Sequence, residues 1–119
     1  CRLTFWLDDE AQMHAVTAVS GSGTAYVFYL MHALQQAAQG LGFGADDARA
    51  LSLQTFRGAV ELAAQSGADF ATLQDAVTSK GGTTFAALET FRQRGLAEHL
   101  RDGVNAAAAR SVELGRALG

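Results

Sequence analysis

The strongest constraint in this chain is an apolar seam near its end. Leu96, Leu100, Val104, Ala107, Ser111, Leu114 and Leu118 recur at steps of four, four, three, four, three and four. Only an α-helix brings positions with that spacing onto one face. Earlier segments carry the same period, and the 119 residues contain no proline to break a helix interior. Val27, Leu30, Met31, Leu34 and Ala38 form one stripe of a helix expected from about Thr24 to Gln39. Leu51, Leu53, Phe56, Val60 and Leu62 spread over more than one face of a helix from Asp46 or Asp47 to about Gln65. A helix of that kind is expected to be surrounded by protein.

Local signals mark the ends of these helices. Asp8, Asp9 and Glu10 suit the positive end of a first helix, which runs to about Ser20 and stops at Gly21-Ser22-Gly23. Gly40, Gly42 and Gly44 end the second helix, and Ser66 and Gly67 end the third. Asp69 can cap a short helix that carries Phe70, Leu73 and Val77. Thr84 is placed to cap the next one, with Phe85, Leu88 and Phe91 on its buried side. Gly95 separates that helix from the last, Leu96 to about Leu118, where Ala106 to Ala109 keep the surface small enough for a close partner. Residues 1–7 differ: Leu3, Thr4, Phe5, Trp6 and Leu7 are strand formers, with no partner strand elsewhere. The expected fold is an all-α domain over residues 8–119, preceded by a short extended arm over residues 1–7.

Composition narrows the function. Apolar residues make up 49% and charged residues 18%, enough for a real core. Nine basic against twelve acidic residues give a net charge of -3, which argues against a nucleic-acid surface. No apolar run approaches the roughly 18–20 residues of a membrane span. The lone Cys1 has no internal disulfide partner, as fits a reducing, cytoplasmic setting.

Few residues carry chemistry. Gly21-Ser22-Gly23 resembles part of a dinucleotide fingerprint, but Tyr26 takes the third small position and no strand precedes Asp46. A tight helix–helix junction explains those glycines better. His14, His32 and His99 lack metal-ligand spacing, and Ser20, Ser22 and Ser79 lack a nucleophile elbow. The loop Thr78-Ser79-Lys80-Gly81-Gly82-Thr83-Thr84 is different, because amides at a Gly-Gly turn that enters a helix form an anion-binding concavity. The residues alone leave two assignments open there: a helix cap with a flexible turn, or an anion site.

Two stretches resemble a known family. Ala15-Val16-Thr17-Ala18-Val19-Ser20-Gly21-Ser22-Gly23-Thr24-Ala25-Tyr26-Val27-Phe28 resembles the opening of the C-terminal domain of pyrroline-5-carboxylate reductases. Leu73-Gln74-Asp75-Ala76-Val77-Thr78-Ser79-Lys80-Gly81-Gly82-Thr83-Thr84 is similar to that family's signature loop. The resemblance spans essentially the whole chain, with the motifs in the right order and separation. It implies an oxidoreductase of proline biosynthesis that makes L-proline from pyrroline-5-carboxylate with NADPH or NADH. The nicotinamide cofactor would be bound by an N-terminal domain absent here, of which residues 1–7 would be the last strand, so none is expected on this chain and the chain alone would be inactive. The helical domain would intertwine with its twin as a homodimer, and dimers would assemble into a ring.

Transferred residue by residue, the substrate site falls on Ser79, Gly81, Gly82, Thr83 and Thr84. Ser79, Gly82 and Thr83 would offer amides or a hydroxyl to the substrate carboxylate. Thr84 would be the catalytic residue, in contact with the ring nitrogen. Many members have proline where this chain has Thr24, Gly44, Phe70 and Lys80, which bears on loop rigidity. Lys80 is either a solvated lysine or an added attraction for an anion. The competing assignment for the whole chain is a stand-alone helical dimerisation module with no catalytic role.

Overall fold

In the computed structural model, which describes residues 10–118, six helices follow one another: α1 (Glu10–Val16), α2 (Gly23–Gly40), α3 (Ala45–Ser66), α4 (Phe70–Ala76), α5 (Thr83–Gln93) and α6 (Leu96–Leu118). A π-helical turn, Thr17–Gly21, joins α1 to α2. No strand occurs among the described residues. The arm expected over residues 1–7 and the boundary at residue 8 lie outside them.

The bounds agree closely with the helical periods, and the junctions show why. The carboxylate of Asp69 accepts from the Thr72 amide at 2.8 Å and starts α4. Gly42, at φ +110°, ends the α2 turn in a left-handed conformation. The Phe43 amide then reaches the Ala38 carbonyl at 3.2 Å and the Gly42 amide reaches Gln39 at 3.0 Å, the paired bonds of a Schellman stop. Helix α3 departs from expectation at its start: Gly44 is the cap residue, no side chain caps it, and Asp46 and Asp47 lie inside the first turn. There they face the positive end of the dipole, which needs no hydrogen bond.

The chain divides into two compact units. Residues 27–94 form one, with most of α2 together with α3, α4 and α5. A buried contact in this unit uses small residues four apart on α3. Ala48 is fully buried, and the Ser52 hydroxyl donates to the Met31 carbonyl on α2 at 2.7 Å. A hydroxyl pointed at a main-chain acceptor lets two helices meet without leaving a buried polar atom unpaired. Apolar side chains away from this contact stay exposed: Val60 and Leu62 on α3 by 65% and 60%, and Phe28 and Tyr29 on α2 by 63% and 76%. The expected envelope of protein around α3 is therefore not supplied by the described residues. Phe85 and Phe91, expected on a buried side of α5, are exposed for the same reason.

Residues 10–26 and 95–118 form the other unit, where α1 and the π turn pack on α6. The seam of α6 meets part of its partner within the chain. His14 Nδ1 lies 2.7 Å from the Ser111 hydroxyl, and a methyl group on Gly115 would stand 3.4 Å from His14 Cε1. The small residues of α6 thus admit an imidazole from α1. Ala18, on the π turn, is buried.

Candidate functional site

The candidate site lies between α4 and α5, and its shape follows from where each backbone group finds a partner. At the end of α4 the carbonyls are used: Thr78 Oγ1 donates to the Gln74 carbonyl at 2.6 Å and the Thr78 amide to Asp75 at 3.1 Å. Ser79, Lys80, Gly81 and Gly82 then form a four-residue turn, closed by the Gly82 amide donating to the Ser79 carbonyl at 3.0 Å. Its third position, Gly81, has φ +77°. A side chain there would be strained by its own Cβ. At Gly82 a Cβ would crowd the turn for a different reason, lying 3.3 Å from the Ser79 carbonyl oxygen, which would have to shift slightly.

The turn delivers the chain into α5 with Gly82, not Thr84, at the cap position. Thr84 was expected to cap this helix; it is instead the second residue inside it. The reason is local, because Gly82 has extended backbone angles and its carbonyl already accepts from the Ala86 amide at 3.1 Å. No side chain caps the helix. The first-turn amides of Thr83, Thr84 and Phe85 precede the first residue that can bond back along the helix. They add to the positive end of the α5 dipole, a place that receives anions. Ser79, Gly81, Thr83 and Thr84 are exposed and Gly82 is half-buried. All five predicted residues thus sit on one turn and the helix start that follows it. One amide, that of Gly82, is already engaged by Ser79, so the amides that remain begin at Thr83.

The arrangement can hold a small carboxylate on consecutive amides and place a threonine hydroxyl, both donor and acceptor, beside it. At the start of α4, hydrogen bonds from Thr72 hold the Asp69 carboxyl below its ordinary range.

Elsewhere the chemistry is thinner. The Gly21-Ser22-Gly23 stretch lies between helices and not after a strand, so it does not fit a dinucleotide phosphate site. There the Ser22 amide donates to Thr17 at 2.9 Å, and the Tyr26 hydroxyl donates to the Ala18 carbonyl at 2.6 Å. Sequence reasoning saw Tyr26 only as the residue that spoiled a fingerprint. Its hydrogen bond, across eight residues and a π turn, has no local signal. No cluster of metal-ligating side chains exists among the described residues, and no helix among them is long and apolar enough to cross a membrane.

The chain is similar to known proteins along most of its length. Residues 10–114 match the model of the pyrroline-5-carboxylate reductase dimerisation family. A pyrroline-5-carboxylate reductase of Pseudomonas aeruginosa is 47% identical over 117 residues, which is 98% of this chain and 43% of the relative. That of Pisum sativum is 39% identical over 109 residues, 92% of this chain and 40% of the relative. Among solved structures, a pyrroline-5-carboxylate reductase from Coxiella burnetii superposes with a TM-score of 0.88 at 38% identity, covering 94% of this chain and 42% of the other. The Plasmodium falciparum pyrroline carboxylate reductase, with NADP bound, gives 0.85 at 31% identity, covering 90% and 41%. The chain therefore spans about two fifths of the length of the relatives it matches.

Proposed function

Because the chain belongs to the pyrroline-5-carboxylate reductase dimerisation family, we propose that it is the dimerisation and substrate half of an enzyme that reduces 1-pyrroline-5-carboxylate to L-proline. The observation that carries this reading is the uncapped start of α5, within the span the family model matches. Ser79, Gly81, Gly82, Thr83 and Thr84 form the substrate site. The turn shapes it, and the free amides that begin at Thr83 hold the substrate carboxylate.

Reduction adds a hydride to the imine carbon, the C=N π pair moves onto the ring nitrogen, and the nitrogen takes a proton from water. The hydride comes from NADPH or NADH, held by an N-terminal domain of the whole enzyme. Thr84 is the catalytic residue. Its hydroxyl hydrogen-bonds to the ring nitrogen and stabilises that atom while its charge changes, a contact stronger in the transition state than in the ground state. The carboxylate contact fixes the ring so that the imine carbon faces the hydride donor.

The exposed apolar faces of α2, α3 and α5 are the surface of a homodimer, and dimers of this chain assemble further into a ring. Such an enzyme works in the cytoplasm. The test uses the full-length protein that carries this chain, supplied with pyrroline-5-carboxylate and NADPH or NADH. Turnover to L-proline is expected. No turnover with either nucleotide would overturn the assignment in favour of a dimerisation module without catalysis.

A further inference from the structure

A loop that receives an anion on neutral amides gains from a full positive charge beside them, and the only lysine of this chain is in that loop. Lys80 is the second residue of the Ser79–Gly82 turn. The turn is held by other groups, namely the Ser79–Gly82 hydrogen bond and the left-handed Gly81. A closing bond of this kind with a left-handed third residue is the type II arrangement, whose second position accepts proline because its own amide is not needed. Lys80 therefore has no duty in the backbone. Its side chain is exposed. The ion pairs among the described residues, Arg92 with Glu89 and Arg110 with Glu113, leave it out.

The rest of the chain works against an anion. Setting Lys80 aside, twelve acidic residues face eight basic ones in this chain, so an approaching carboxylate gains from a local cation. An ammonium on a flexible stem suits that task, since it acts as a mobile point charge and not as a rigid two-pronged clamp. Resting on the substrate site assigned above, we propose that Lys80 is a specificity-determining residue. Its ammonium draws the substrate carboxylate to the start of α5 and acts on binding, not on hydride transfer.

The test measures steady-state kinetics of the full-length enzyme, and L-proline binding by calorimetry, for Lys80→Gln, Lys80→Pro and Lys80→Arg. Lys80→Pro removes the charge at a position where proline keeps the turn, and Lys80→Gln removes it without touching the backbone. Both should raise KM for pyrroline-5-carboxylate about two- to fivefold at low ionic strength, the scale of an exposed charge pair. They should weaken L-proline binding by a similar factor and leave kcat within about twofold. Added salt should raise KM of the parent more than that of either variant, and Lys80→Arg should restore parental values. Unchanged KM in both neutral variants would overturn the proposal. So would a loss confined to kcat, or a KM effect on the nicotinamide alone. A parent that neither turns over nor binds L-proline would remove the substrate site itself, a separate failure from an active parent indifferent to Lys80.

Discussion

The chain twice interrupts its helices with glycines flanked by serine and threonine, at residues 21–24 and at residues 79–84. At the first break the main chain stays helical. The Thr17 carbonyl takes the Ser22 amide, Ser22 takes Ala25, and the freed Ala18 carbonyl takes the phenol of Tyr26. At the second, one bond closes the turn between Ser79 and Gly82, and the helix beyond it begins without a cap. Similar composition thus yields a sealed splice in one place and a row of available amides in the other. Glycine alone does not make an anion site. What matters is whether neighbouring groups use the donors and acceptors that the glycines release.

This contrast can be broken most sharply at Thr84. In the full-length enzyme, Thr84→Ala should lower kcat about 10- to 1,000-fold, with a melting temperature close to that of the parent. Equal turnover would leave the threonine as a mere member of the first helical turn. At the sealed break the opposite signature is expected. Tyr26→Phe strips the Ala18 carbonyl of its donor and should cost about 1–2 kcal/mol in denaturant unfolding, while KM and kcat stay put. A fall in activity without a fall in stability there would erase the distinction between the two breaks.

Gly81→Ala tests the second break from its backbone. A Cβ at φ +77° should cost about 1 kcal/mol in chemical denaturation, and KM should rise because the turn aims the amides that follow it. If KM is unmoved, the turn does not set the geometry of the site. The smallest effect belongs to Asp69, just before α4. Hydrogen bonds from Thr72 hold its carboxyl below the ordinary range, so the carboxylate form is the one folding favours. Its contribution is complete above the carboxyl's unfolded pKa and is lost as pH falls through the lower, folded value. Asp69→Ala should therefore lower the melting temperature at neutral pH, and the gap from the parent should close in strong acid. A gap independent of pH would mean that the cap does not act through its charge.

Much of this was readable in the residues, and unevenly so. The span of α6 and the Asp69 cap follow from spacing and from one carboxylate placed before a helix. The Gly-Gly step at 79–84 marked that loop as either a helix cap with a flexible turn or an anion site, and left the choice between them open. The helix entry was misplaced there: a threonine before an apolar run looks like a cap, yet the extended backbone of Gly82 takes that role two residues earlier. The difference leaves more amides available at the start of α5, because no side chain caps it. The seam on α6 gave no sign of which segment would meet it, and Ser111 and Gly115 receive His14 from α1.

Helix bounds, stops and the candidate loop were determined by the sequence itself, because they rest on the period of apolar side chains, on glycine's access to left-handed backbone and on carboxylates near helix starts. Those forces act within a few residues of where they are written. Tertiary structure alone decided that Tyr26 seals the π turn at Ala18, that His14 fills the space left by Gly115, and that Ser52 ties α3 to the Met31 carbonyl. It also decided that Phe28, Val60 and Phe91 remain uncovered. Each of these depends on groups brought together by how helices pack. Spacing along one helix can say which face is apolar, but what meets that face is set by the packing of other segments against it.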